Sequence, residues 1–296
     1  MVLGLFLALA QTVCWAWASI VLRQLSAEHD ATLLNGLRSL VGLVFVLPLV
    51  WITGQEAGFQ ALDTRNLIYI VGASLAGGVI GDGLYIAVLD MLGVSRALPI
   101  VNSFPIFTLL LSALFLDDHI TWLVVVGIVL VLVGAYLVTR PSTPSDDPHA
   151  PPPPKRLALG VALAVLVAVL WAAAAVATTV GLQQVTPLAV TSIRLALVAG
   201  MSLAAVGVRG KLGEVAQFRG KKLGALLWAG ILGSLGSATL FMIALSLAGP
   251  SRVTTVNATL PIFGAMLGYL LYRERLSRTM WAGTLLTVAG MILVVI

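Results

Sequence analysis

The sequence predicts an all-α integral membrane protein whose ten transmembrane helices form two inverted five-helix repeats. Three observations lead there: an apolar composition, apolar runs of membrane-crossing length, and a chain that matches itself at a fixed offset. Hydrophobic residues fill 59% of the 296 positions and charged residues only 10%, with a mean hydropathy of +1.05. Soluble domains run near half apolar and a quarter charged, so an aqueous fold would lack the polar surface to cover this chain. Lipid tails remove that requirement.

A helix needs roughly 20 apolar residues to cross the hydrocarbon core. Breaks at charge, Pro and Gly divide the chain into spans 2–22, 32–53, 66–90, 93–117, 119–139, 157–180, 187–208, 223–247, 250–272 and 277–296. Between the fifth and sixth, Arg140 to Arg156 reads RPSTPSDDPHAPPPPKR, which has almost nothing to bury and is expected to form a proline-rich linker. The expected organisation is a first repeat at 1–139, a linker at 140–156 and a second repeat at 157–296. Met1 leads straight into apolar residues, as a first spanning helix does and a signal peptide with a basic start does not. The single cysteine, Cys14, excludes a disulfide framework and reads as a small buried side chain.

The repeat emerges when Trp15 is laid on Trp171, an offset of 156 residues. Without a gap, the same offset pairs Arg38 with Arg194, Gly77 with Gly233, Gly93 with Gly249, and Pro105-Ile106-Phe107 with Pro261-Ile262-Phe263. Leucine matches would mean little in such a chain, but Trp, Pro and Arg are rare. Five spans is an odd number, so the second repeat enters the membrane from the opposite side. Inverted repeats of this kind characterise secondary transporters, whose substrate sites lie near mid-bilayer between the halves.

The same residues carry a family resemblance over essentially the whole chain. They are the tryptophan in the first helix of each half (Trp15, Trp171), the arginine in the second (Arg38, Arg194) and the proline in the fourth (Pro105, Pro261). A charged turn precedes the fifth helix in each half, Asp117-Asp118-His119 and Arg273-Glu274-Arg275. In these respects the chain resembles the drug/metabolite transporter superfamily, in its ten-helix EamA-type branch. The resemblance implies export or exchange of small metabolites such as amino acids through a central cavity. Four-helix relatives carry a proton- and drug-binding glutamate in their first helix. With Arg23 as the counterpart of the basic residue ending that helix, the matching position here is Trp15, so the resemblance does not extend to that chemistry.

Polar side chains inside spans are costly in lipid and face a partner or a wet cavity. The candidate substrate-binding residues are Gln11, Trp15 and Ser19 on one face of the first span, Arg38 in the second, Asp82 and Tyr85 in the third and Asn102 in the fourth. Trp171 and Thr178 in the sixth, Arg194 in the seventh and Asn257 in the ninth complete the set. Asp82 lies near mid-bilayer, and its repeat counterpart is Ala238, so symmetry demands no acid there. It can bind a proton or a substrate ammonium group, or it can pair with Arg38. Each arginine can hold a substrate carboxylate, snorkel to headgroups or bond backbone carbonyls. Pro105 and Pro261 are expected to kink the fourth and ninth helices as hinges, because a proline frees the carbonyl four residues back. Gly77 with Gly81, and Gly127 with Gly134, read as close-packing positions.

No Gly-rich phosphate loop, nucleophile elbow or metal-binding constellation is present, and three neighbours in the turn Asp117-Asp118-His119 cannot all converge on one ion. No catalytic residue, metal or cofactor is therefore expected. The net charge of +5 does not point to nucleic acid, because the basic residues sit in short breaks between apolar runs. Thirteen lysines and arginines are assigned to the loops after the odd-numbered spans, and the other loops hold only Arg65 and Arg252. The positive-inside rule then puts the linker in the cytoplasm and both termini outside, whereas the resemblance implies termini inside. The expected function is export of small polar metabolites, amino acids among them, across a bacterial cell membrane, with protons as a candidate coupling ion. Two alternatives stay open: a membrane-embedded enzyme, which needs clustered acids or histidines at a membrane face, and a nucleotide-sugar or organic-phosphate exchanger, which needs several cavity lysines or arginines.

Overall fold

A computed structural model of the chain describes residues 1–92, 97, 100–116, 121–139, 154–260, 262–263, 266–267 and 278–295. In lipid the backbone must satisfy its own hydrogen bonds, and helices do so within one segment. Among the described residues, the helices of eight residues or more are α1 (Val2–Ser26), α2 (Ala31–Ile52), α3 (Thr64–Leu92), α4 (Phe104–Phe115), α5 (Trp122–Thr139) and α6 (Pro154–Gly181). They continue as α7 (Pro187–Val208), α8 (Lys221–Ala248), α9 (Pro250–Asn257) and α10 (Arg278–Val295). Among the described residues, α1, α2, α3, α6, α7 and α8 are long and apolar enough to cross a membrane, and the other four are shorter. The chain is a multi-pass membrane protein.

Local sequence sets the boundaries. Asp30 caps α2 by accepting from the backbone N–H groups of Thr32 at 2.9 Å and Leu33 at 3.1 Å. Gly249 ends α8 with φ +76, a conformation that costs a Cβ-bearing residue but not glycine, and Pro250 opens α9 where no N–H is needed. α6 begins at Pro154, so the last three residues of the expected linker are helical; a proline is well placed at a first helical position. Residues 140–153 of that linker, Pro261, Asp117-Asp118-His119 and Arg273-Glu274-Arg275 lie outside the described residues.

Two features depart from the expected helices. The fourth span is not a continuous helix kinked at proline. It breaks in a turn at Asn102 and Ser103, and Pro105 sits in the first turn of the new helix α4. A proline there loses no hydrogen bond, whereas in a helix interior it would. The second repeat turns at the equivalent Ala258 and Thr259. Each turn is sealed the same way: Ser103 donates its hydroxyl to the Ile100 carbonyl, and Thr259 to the Val256 carbonyl, both at 2.7 Å. The second departure is a π-helical stretch in the middle of α3 (Ser74–Gly81) and of α8 (Ala229–Ser237).

The halves pack by exchanging equivalent contacts. α1 lies against α8 as α6 lies against α3, while α2 meets α7 and α5 meets α10. At residue level, a Cβ on Gly77 would come 2.6 Å from Ala174 Cβ, and one on Gly233 would come 2.9 Å from Ala18 Cβ. Both pairs obey the 156-residue offset. In the seam between α5 and α10, Gly134 approaches Gly283 and Thr287 while Gly290 approaches Gly127 and Val131. Numbers rise along one helix as they fall along the other, so these equivalent helices run antiparallel.

Candidate functional site

The two repeats enclose a central cavity of about 110 Å³. Nine of the eleven candidate residues line it: Gln11, Trp15, Arg38, Asp82, Asn102, Trp171, Thr178, Arg194 and Asn257. Ser19 and Tyr85 do not. The Tyr85 side chain is fully buried beside the cavity, donates to Ser19 Oγ at 3.1 Å and packs against Trp15 and Trp171. Ser19 in turn donates to the Trp15 carbonyl at 2.8 Å, so both residues support the aromatic wall from behind.

Asp82 opens the last α-helical segment of α3, directly after the π-helical stretch. Its Oδ2 accepts from Arg38 at 2.7 Å and its Oδ1 from the Trp171 indole N–H at 2.9 Å. Of the readings the sequence allowed, the geometry realises the Asp82–Arg38 pair. Arg38 is committed in full view of its neighbours: it also donates to Asn35 Oδ1 at 2.7 Å and to Ser234 Oγ at 3.2 Å, and its guanidinium lies 5.1 Å from the Trp15 ring centroid. Asn35 is held in turn by the Gly78 carbonyl at 2.8 Å. Arg194, the repeat counterpart of Arg38, reaches only to 3.6 Å of Asp82 Oδ2, beyond hydrogen-bond distance.

On the remaining walls Gln11 donates to Ser237 Oγ at 2.9 Å, and the Thr12 hydroxyl lies 3.0 Å from Asn257 Oδ1. Asn35, which holds Arg38, and the lining residues Thr12, Ser234 and Ser237 were passed over by the sequence reading. The last two lie in the π-helical stretch of α8, whose glycine-rich sequence AGILGSLGS was the available signal. Inserting an extra residue into a helical turn shifts which side chains face inward, and π-bulges recur at functional sites for that reason. The prolines stand apart: Pro105 is buried at the start of α4 and is not among the lining residues.

A family model for the EamA-like transporter family matches residues 2–140 and again 158–296. The chain belongs to the EamA-like transporter family. This EamA-like transporter is also 24% identical over 295 residues to an uncharacterized transporter of Archaeoglobus fulgidus, covering 99% of this chain and 98% of that one. One solved crystal structure superposes on it with a TM-score of 0.75 at 17% identity, covering 98% of this chain and 94% of that chain, which is a likeness of fold. The family description and the archaeal relative's name both say transporter.

The ends of the EamA-like transporter are fastened by the same pair of positions with different chemistry. At one end, Asp30 is gripped by Arg209 at 3.1 Å and Lys211 at 3.7 Å, and Lys222 donates to Glu28 at 2.6 Å. Partial burial pushes the Asp30 carboxyl up, but the Leu33 and Thr32 N–H groups and the charges of Arg209 and Lys211 outweigh it and hold the group below its usual range. His29 is buried between them against the Phe218 ring at 4.5 Å. At the other end, the counterparts of Asp30 and Lys211 are Thr186 and Gln55. There the Thr186 hydroxyl donates to the Gln55 carbonyl at 3.3 Å, and Asn66 donates to the carbonyls of Gly181 and Gln183.

Proposed function

We propose that this EamA-like transporter is a secondary carrier that exports small polar metabolites of amino-acid size. One cavity would open alternately to each side as the two inverted repeats rock about an axis in the membrane plane. The observation that carries this reading is that repeat-equivalent residues, Trp15 with Trp171 and Arg38 with Arg194, converge on a single chamber from opposite halves. A site built on the relation between two halves is the arrangement that reorients when they move.

Size narrows the cargo. One water occupies about 10–15 Å³ of such space, so the chamber has room for roughly ten non-hydrogen atoms. That suits an amino acid or a small organic acid, and a nucleotide sugar is several times too large. Two lining arginines are also few for an organic phosphate. The loops after α1 and α7 meet at the charged end, and the excess of lysine and arginine there puts that face in the cytoplasm.

Counterflow of radiolabelled amino acids and small organic acids into proteoliposomes tests the reading. At least one solute is expected to accumulate faster than in protein-free vesicles, and running the assay with and without a pH gradient reports on proton coupling. Uptake of every solute at the protein-free rate would sink the carrier reading.

A further inference from the structure

Among the described lining residues three are charged, Arg38, Asp82 and Arg194, so the chamber carries two positive groups against one negative. The pairing among them is unequal. Arg38 commits both terminal nitrogens, to Asp82, Asn35 and Ser234, leaving only its buried Nε without a partner, and its side chain is 3% exposed. Both carboxylate oxygens of Asp82 are taken, by Arg38 and by Trp171. Among the described residues Arg194 makes only the 3.6 Å approach to Asp82, and its side chain keeps 20% exposure at the cavity. The rest of the lining mixes the rings of Trp15, Trp171, Phe104 and Phe241 with uncharged polar side chains such as Gln11 and Asn102.

We propose that the cavity selects small monocarboxylates, with Arg194 as the anchor of the carboxylate, and that it makes no use of a ligand ammonium group. This rests on the reading of the cavity as the transport site. A guanidinium with free donors at the wall of a buried chamber matches a carboxylate in a two-bond fork. One negative charge brings the chamber to neutrality. A zwitterion leaves it positive and places an ammonium group beside two guanidiniums, with the one carboxylate already engaged. A dianion such as phosphate overshoots. The aromatic walls take the body of the ligand, so the class is a carboxylic acid with a short apolar or aromatic side chain.

Phenylpropionate, phenylalanine and phenethylamine share one ring and present an anion, a zwitterion and a cation. Isothermal titration of the purified full-length protein in detergent is expected to rank them in that order, phenylpropionate at least about tenfold tighter than phenylalanine. Arg194→Gln should erase the preference, and Arg194→Lys should keep part of it. Phenylalanine binding as tightly as phenylpropionate, a preference that survives Arg194→Gln, or no binding by any of the three overturns the proposal. Should Arg194→Gln fail to fold, the wild-type ranking and Arg194→Lys still decide. The two readings fail separately: amino-acid counterflow indifferent to Arg194 removes this anchor and leaves the carrier standing.

Discussion

Trp171 donates its indole N–H to Asp82 at 2.9 Å, joining the first helix of the second repeat to the third helix of the first through a charge the repeat does not duplicate. The mirrored position holds Ala238, so Trp15 has no such acceptor there and lies instead near the guanidinium of Arg38. Two symmetric arginines therefore share one asymmetric acid, and the centre of the molecule is built on that inequality.

Breaking a buried ion pair by removing one partner costs about 3–5 kcal/mol, because the other charge is left uncompensated. Asp82→Asn should accordingly lower the melting temperature in detergent sharply, and adding Arg38→Gln should recover part of the loss. Trp171→Phe, which keeps the ring and removes one hydrogen bond to a charged group, should cost less, about 1.5–3 kcal/mol. An Asp82→Asn protein that melts with the wild type would refute the pairing.

The seam between α5 and α10 makes a second test. A Cβ on Gly134 or Gly290 would come 2.5 Å from the backbone carbonyl of Gly283 or Gly127, and backbone cannot swing aside. Each Gly→Ala change should destabilise by about 1–3 kcal/mol through overpacking. Gly200 in α7 has nothing within 4 Å of such a Cβ, so Gly200→Ala should be neutral or stabilise by up to about 1 kcal/mol. Equal melting temperatures for all three variants would contradict the packing described.

At the charged end, Asp30 both caps α2 and binds Arg209 and Lys211 across the repeats, with Glu28, Lys222 and His29 close by. Because its native carboxyl is held below the ordinary value of 3.8, its contribution is fully present above that value and fades as pH falls through the native one. Asparagine caps as well as aspartate but carries no charge, so Asp30→Asn should lose only the ion pairs and Asp30→Ala should lose about 1 kcal/mol more. The gap between wild type and Asp30→Asn should close in melts taken below about pH 4. A gap that persists into acid would remove the ion pairs from the account.

Much of the site was legible because rare residues carry the repeat. Trp15, Trp171, Arg38 and Arg194 were identifiable from the offset alone, and all four line the cavity. Tyr85 was expected at the cavity with Asp82, but it lies buried behind the wall with its hydroxyl on Ser19, because spacing along one helix says nothing of what the next helix offers. Pro105 marked the right place in the fourth span and the wrong device: a break before the proline lets it stand where no N–H is required, which a kink does not.

By itself the sequence determined the membrane environment, the helical class and the two-repeat architecture, since each follows from counts and periodicities that hold whatever the neighbours are. Only the tertiary structure decided which arginine is spent and which is left to a ligand. The two guanidiniums are equivalent along the chain, and a single carboxylate, with two oxygens and one fixed position, can satisfy only the one that packs within 2.7 Å of it.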